Sequence, residues 1–249
     1  MANFMLVPGY WLGGWAWKNV TDALREKGHT VYPVTLTGLG ERVHLGSAQT
    51  NLDTHVADVV NLIKFEELEN VYLVGHSYGG IVINSVADQI PQKIAKLIFV
   101  DSAPLPDGVA HVDFYQPEEL AAYEKKIKEH GDGWALLPPS REEMDKNDEW
   151  KDVLAKDKKR IEKLATPQPF NASRQKISLK NSARRKLPKV VILTTFTAAQ
   201  AKEMIDSGNL LFQEMDDPQI KLVELPTGHY PMFSRPAELT EILLETAAG

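Results

Sequence analysis

The sequence has no cysteine among its 249 residues. That absence removes disulfide staples, thiolate nucleophiles and Cys-ligated zinc or iron–sulfur sites together. No run approaches the ~18 consecutive apolar residues that a membrane-crossing helix needs. The Met1-Ala2-Asn3-Phe4 start lacks both a basic segment and a long apolar one, so no signal peptide is expected and the chain reads as cytoplasmic. Positive charge is also scarce. Lys and Arg number 28 against 34 Asp and Glu, a net charge of -6, which leaves no broad basic field for nucleic acid or an anionic membrane. What is present is ordinary for a folded chain: 43% hydrophobic and 25% charged residues. The catalytic menu narrows to serine, histidine and carboxylates, and no metal or organic cofactor is expected.

Short apolar runs alternate with helical patterns, the rhythm of βα units feeding a parallel sheet. Strands are expected at 4–7, 30–36, 70–74, 96–100, 190–195 and 221–225. Helical periodicity marks 15–26, 53–65, 81–87, 198–206 and 236–246. The rhythm stops between 104 and 187, where the chain is charged, carries Pro138-Pro139 and shows helical stretches near 117–129 and 140–164. The fold expected is therefore α/β, a mostly parallel sheet of about six strands flanked by helices. Its core is assigned to 1–103 and 188–249, with 104–187 as an inserted helical cap. A minority of the cap's apolar residues (Phe114, Tyr115, Trp134, Leu136, Leu137, Trp150) is expected to line a pocket, the rest joining cap to body. The five basic residues within 180–189 read as a solvated approach to a strand.

Between the strand ending at Val74 and the next helix lies Gly75-His76-Ser77-Tyr78-Gly79-Gly80, a G-x-S-x-G pattern. In that context it marks a nucleophile elbow, a turn so sharp that the Ser77 hydroxyl stands clear of the sheet and the following helix aims its N-terminus at a developing oxyanion. A serine needs a base to attack near neutral pH, and on such a fold the histidine comes last in chain order. His229, in the loop before the final helix, fits; the other histidines are weaker candidates. The orienting acid is harder to place. The loop after the strand at 190–195 holds no carboxylate, and Thr197 and Gln200 are spaced as a capping box, which puts Glu203 and Asp206 well into a helix. Asp101, directly after the strand at 96–100, is the preferred acid, its alternative being a brace for its own loop. The oxyanion hole is assigned to the N–H groups of Tyr78 and Tyr10. Trp11, Trp134 and Tyr230 are expected to contact substrate, as is His76, which also reads as structural support.

These residues resemble the α/β-hydrolase superfamily, and within it the small-cap group of pyrethroid-hydrolysing esterases, plant methylesterases and plant hydroxynitrile lyases. The similarity runs through Gly13-Gly14-Trp15, Leu36-Thr37-Gly38-Leu39-Gly40-Glu41-Arg42, Leu52-Asp53-Thr54-His55-Val56-Ala57-Asp58, the elbow, and Thr166-Pro167-Gln168-Pro169. It implies an α/β-hydrolase fold and a triad of Ser77, His229 and Asp101. Pro8-Gly9 stands where the group has His-Gly, and the late-strand acid of the group is missing. A hydroxynitrile lyase would carry Glu in place of His76 and Lys in place of Tyr230.

The function expected is cleavage of a carboxylic ester of a small, apolar or aryl substrate through an acyl-enzyme. A catalytically weak binding or receptor protein and a lyase on the same triad are the alternatives. The expected partner is a small-molecule ester, not nucleic acid or membrane. The resemblance also allows a homodimer.

Overall fold

Side chains alternate along an extended strand, so the first strand sends Met5 and Val7 to one face and Phe4 and Leu6 to the other. In the computed structural model, which describes residues 1–248, both faces are buried. The strands are β1 (Asn3–Val7), β2 (Thr30–Pro33), β3 (Val71–His76), β4 (Ile94–Val100), β5 (Ala135–Leu136), β6 (Gln168–Pro169), β7 (Lys189–Leu193) and β8 (Ile220–Glu224). Six form one sheet in the order β2-β1-β3-β4-β7-β8, and every pair in it is parallel. The helices are α1 (Lys18–Glu26), α2 (Leu52–Phe65), α3 (Tyr78–Gln89), α4 (Pro117–His130), α5 (Arg141–Lys146), α6 (Ala155–Leu164), α7 (Asn171–Arg174), α8 (Ala198–Asp206), α9 (Pro231–Ser234) and α10 (Pro236–Ala248).

Val56, Val59 and Ile63 of α2 and the apolar face of α3 cover Met5, Val7, Leu73, Leu97 and Phe99 on one side of the sheet. Trp17, Val20 and Leu24 join Leu239 and Leu243 of α10 over Phe4, Leu6, Val74, Ile98 and Val100 on the other. A sheet covered on both faces explains why its strands read as unbroken apolar runs. The sheet meets the expected α/β architecture and strand count.

Boundaries differ in instructive places. The strand expected over 30–36 ends at Pro33, which sits on the sheet's edge with its nitrogen turned away from β1, and Val34 N–H makes the last bond to β1, to Leu6 O at 2.9 Å. The helical stretch expected over 140–164 divides into α5, a 3-10 turn at Asp148–Trp150 and α6. Asn147 starts that turn by accepting from the Glu149 N–H at 2.8 Å, capping a new element where the periodicity suggested continuity. Thr197 and Gln200 do form a capping box at the start of α8. The long excursion between β4 and β7 holds α4 to α7 and the two-stranded β5·β6 pair.

Strand order reverses on either side of β1 and β3, and in open α/β sheets the crevice beyond the C-terminal strand ends is where ligands bind. Ser77 follows β3, Asp101 follows β4 and His229 lies in the loop after β8, so the topology delivers all three to that edge.

Candidate active site

Ser77 sits between β3 and α3 with φ 52° and ψ -125°, a left-handed conformation that a side-chain-bearing residue adopts at a cost of about 1–3 kcal/mol. Its neighbours make that turn possible. A Cβ on Gly75 would lie 2.5 Å from the Gly79 carbonyl oxygen, and one on Gly79 would lie 2.6 Å from the Val7 carbonyl oxygen. The backbone of Ser77 is fastened at both ends: its N–H donates to Val100 O at 3.1 Å and its carbonyl accepts from Ser102 Oγ at 2.8 Å. Tyr78 begins α3, with its ring fully buried and its hydroxyl 2.8 Å from His55 Nδ1.

Parallel pairing places Val100 opposite Ile192, so Asp101 emerges beside the end of β7. The Asp101 N–H donates to Ile192 O at 2.9 Å and its φ is 42°. Oδ1 accepts from the N–H groups of Thr194 and Thr195, each at 3.1 Å, and from Thr195 Oγ1 at 3.0 Å. Oδ2 lies 2.5 Å from His229 Nδ1. The loop after β7, which lacks a carboxylate of its own, thus turns its donors toward a carboxylate from the adjacent strand.

His229 is held from two further directions. Its N–H donates to Glu149 O at 2.7 Å, and its carbonyl accepts from His76 Nε2 at 2.7 Å. With Nδ1 engaged by Asp101, Nε2 is the ring nitrogen free to exchange a proton. Burial disfavours charge on both partners, but their mutual attraction prevails. For His229, burial is outweighed by the Asp101 hydrogen bond and charge, with Glu149 adding to them, and its pKa rises above the ordinary 6.5. For Asp101, burial is outweighed by the bond to His229, its charge, and donation from Thr195 and Thr194, and the carboxyl is held well below the usual carboxylate range.

Ser77, Asp101 and His229 line one cavity of about 400 Å³. Most of its wall is apolar, including Leu105, Phe114, Phe196, Met204, Phe212 and Met215. None of the four expected substrate contacts, Trp11, His76, Trp134 and Tyr230, is among the residues that line this cavity. Each is engaged elsewhere. Trp11 donates its indole N–H to Leu136 O at 3.1 Å. His76 is fully buried, donates to the His229 carbonyl, and is pushed down to about 3 by burial and then by the His229 charge. Trp134 lies against Gly46, and Tyr230 is buried and stacked on Trp150 with ring centroids 3.8 Å apart.

Sequence reasoning missed the other wall. Phe196, Met204 and Phe212 come from the loop after β7 and the segments that follow, not from the excursion. Ala201 and Met204, three apart in α8, both face the cavity, a spacing that was available as a signal. His111, one of the histidines that chain order ranks below His229, also lines the cavity. Tyr10 is buried beside it, with its hydroxyl 2.7 Å from His111 Nδ1.

Comparison with known proteins finds the same architecture. The sequence profile described as the alpha/beta hydrolase family matches residues 4–242. A carbendazim hydrolyzing esterase from Nocardioides sp. (strain SG-4G) is 33% identical, over 98% of this chain and 98% of that protein. The putative chloroplastic methylesterase 14 of Arabidopsis thaliana is 29% identical, over 98% of this chain and 72% of that protein. Among solved structures, an extracellular alpha/beta-hydrolase from a Paenibacillus species superposes with a TM-score of 0.79 at 22% identity, covering 98% of each chain.

Proposed function

Because this chain belongs to the alpha/beta hydrolase family, we propose that it is a serine esterase whose nucleophile is Ser77, whose base is His229 and whose orienting acid is Asp101. The observation that carries this reading is the Asp101 carboxylate on His229 Nδ1, beside a serine held in a strained turn on the same cavity. His229 Nε2 takes the Ser77 proton as Oγ attacks the ester carbonyl, and Asp101 stabilises the imidazolium that forms. The N–H groups of Tyr78 and Tyr10 hold the tetrahedral oxyanion. On collapse, His229 returns the proton to the departing alcohol. A water, deprotonated by the same nitrogen, then releases the acid and restores Ser77.

The apolar wall suits a small uncharged ester with an aryl or alkyl group. Residues 104–187 serve as a cap over the site, contributing Leu105, His111, Phe114 and Glu149 to the cavity. The relatives named as esterases support ester cleavage as the reaction class. The test is Ser77→Ala, with p-nitrophenyl acetate and butyrate as substrates and a fluorophosphonate label mapped by mass spectrometry. Turnover is expected to fall to the uncatalysed background, and the label is expected on Ser77 in the parent protein. Unchanged turnover, or a label elsewhere, sinks the reading.

A further inference from the structure

Of the two donors assigned to the oxyanion hole, only Tyr78 sits in the elbow; the other belongs to the loop after β1. A Cβ on Gly9 would lie 2.9 Å from the Ser77 Cβ, so that loop abuts the nucleophile. Tyr10, next in the chain, is buried, and among the described residues its N–H donates to nothing. Trp11 has a φ of 62°, a left-handed conformation that a side-chain-bearing residue keeps only where its surroundings hold it.

What holds it is the excursion between β4 and β7. The Trp11 N–H donates to Gln168 Oε1 at 3.3 Å, its carbonyl accepts from the Thr166 N–H at 3.0 Å, and its indole N–H reaches Leu136 O. Tyr10 Oη donates to Ser173 Oγ. Every hydrogen bond that Tyr10 and Trp11 make among the described residues ends on residues 111–173, none on the main sheet or its covering helices. Gln168 stands out in this set. It is fully buried opposite Leu136 in the β5·β6 pair, its Nε2 has no partner among the described residues, and the one bond of its side chain goes to Trp11. Because a backbone N–H can only donate, the oxygen of the carboxamide must face it. An apolar side chain would cost less to bury there, so folding alone does not account for this residue.

Resting on the esterase reading of this site, we infer that Gln168 is a positioning residue of the oxyanion hole. Its carboxamide pins the peptide after Tyr10 while Ser173 pins the Tyr10 side chain, and together they keep the Tyr10 N–H aimed at the oxygen that becomes charged. A misplacement of about 1 Å can cost ~10²-fold in rate. The excursion therefore governs the chemical step as well as the shape of the cavity. The dependence holds even for an acetyl ester, which asks little of the apolar wall.

The test pairs turnover with two inhibitors of matched shape. Octan-2-one binds as an unreacted ketone. In 1,1,1-trifluorooctan-2-one the activated carbonyl carbon takes the Ser77 oxygen, the Ser77 proton passes to His229, and the carbonyl oxygen becomes the oxyanion of a hemiketal. In Gln168→Met, kcat/KM for p-nitrophenyl acetate is expected to fall about thirtyfold. Ki for the trifluoro ketone should rise in step, with Ki for octan-2-one unchanged. Gln168→Asn, which withdraws the same oxygen by one methylene, takes its place if that variant does not fold. Equal weakening of both ketones would assign Gln168 to the shape of the cavity and overturn the inference. A kcat/KM and a trifluoro ketone Ki that stay close to the parent's overturn it as well. Failure of the esterase reading looks different: the parent protein then neither turns over the ester nor takes a fluorophosphonate on Ser77, and this inference falls with it.

Discussion

The two halves of the proposed machinery are held by different physics. Ser77 is placed by its own neighbourhood: six consecutive residues, small side chains at 75 and 79, and a strand running straight into a helix. The His229–Asp101 pair joins residues 128 apart in sequence and leans on Thr194 and Thr195, Glu149, and His76, from three further places in the chain. The elbow is a steric solution, in which missing side chains matter most. The pair is an electrostatic one, in which each donor must find the right oxygen.

That contrast makes failures of different kinds, and the most severe should come from the elbow. In Gly79→Ala the new Cβ would fall 2.6 Å from Val7 O and 2.8 Å from Pro8 O, both backbone atoms with little room to yield. A loss of about 3 kcal/mol in stability is expected, together with activity. Chemical denaturation measures it, and a variant as stable as the parent would break the steric half of the comparison.

Asp101→Asn should instead spare most of the fold and strike the chemistry, lowering kcat by about 10⁴-fold. Its pH profile is equally informative. His229 must be neutral to act as a base, so kcat/KM rises with pH through its pKa, and the pull of Asp101 sets that limb above the ordinary 6.5. Removing the charge while burial remains should move the residual activity's limb below it. A loss under about tenfold, or a limb that stays in place, would return the role of acid to another group. The smallest effect belongs to Glu149→Gln. This exposed carboxylate also raises the His229 pKa, so its neutralisation should lower the limb slightly, and added salt should erase the difference between variant and parent. A shift that is large or indifferent to salt would show that Glu149 acts through more than its charge.

The same contrast explains what could be read before folding. Alternating apolar runs disclose the sheet because both its faces are buried, and G-x-S-x-G marks the elbow because the constraint is local. Asp101 could be named from its place after a strand, but the Thr194 and Thr195 donors that receive it depend on strand register. The cavity wall was the least legible part. Trp11, Trp134 and Tyr230 carry the apolar bulk expected of a pocket, yet their rings are spent on holding segments together. Met204 and Phe212 look like ordinary surface-helix residues until the strand order puts them beside Ser77. His111 gave no signal of its own, because what distinguishes it is a hydroxyl from Tyr10, 101 positions away in the chain.

A Cβ on Gly228 would lie 2.5 Å from Glu149 O and 2.6 Å from Lys151 O, while the neighbouring His229 N–H is bonded to that same Glu149 oxygen. The excursion is thus spliced to His229 at one short seam. Grafting a relative's excursion onto this scaffold to change its substrate range would have to carry the 149–151 backbone through unchanged. A chimera that ignores the seam should fold with its new pocket and still lack an aligned histidine.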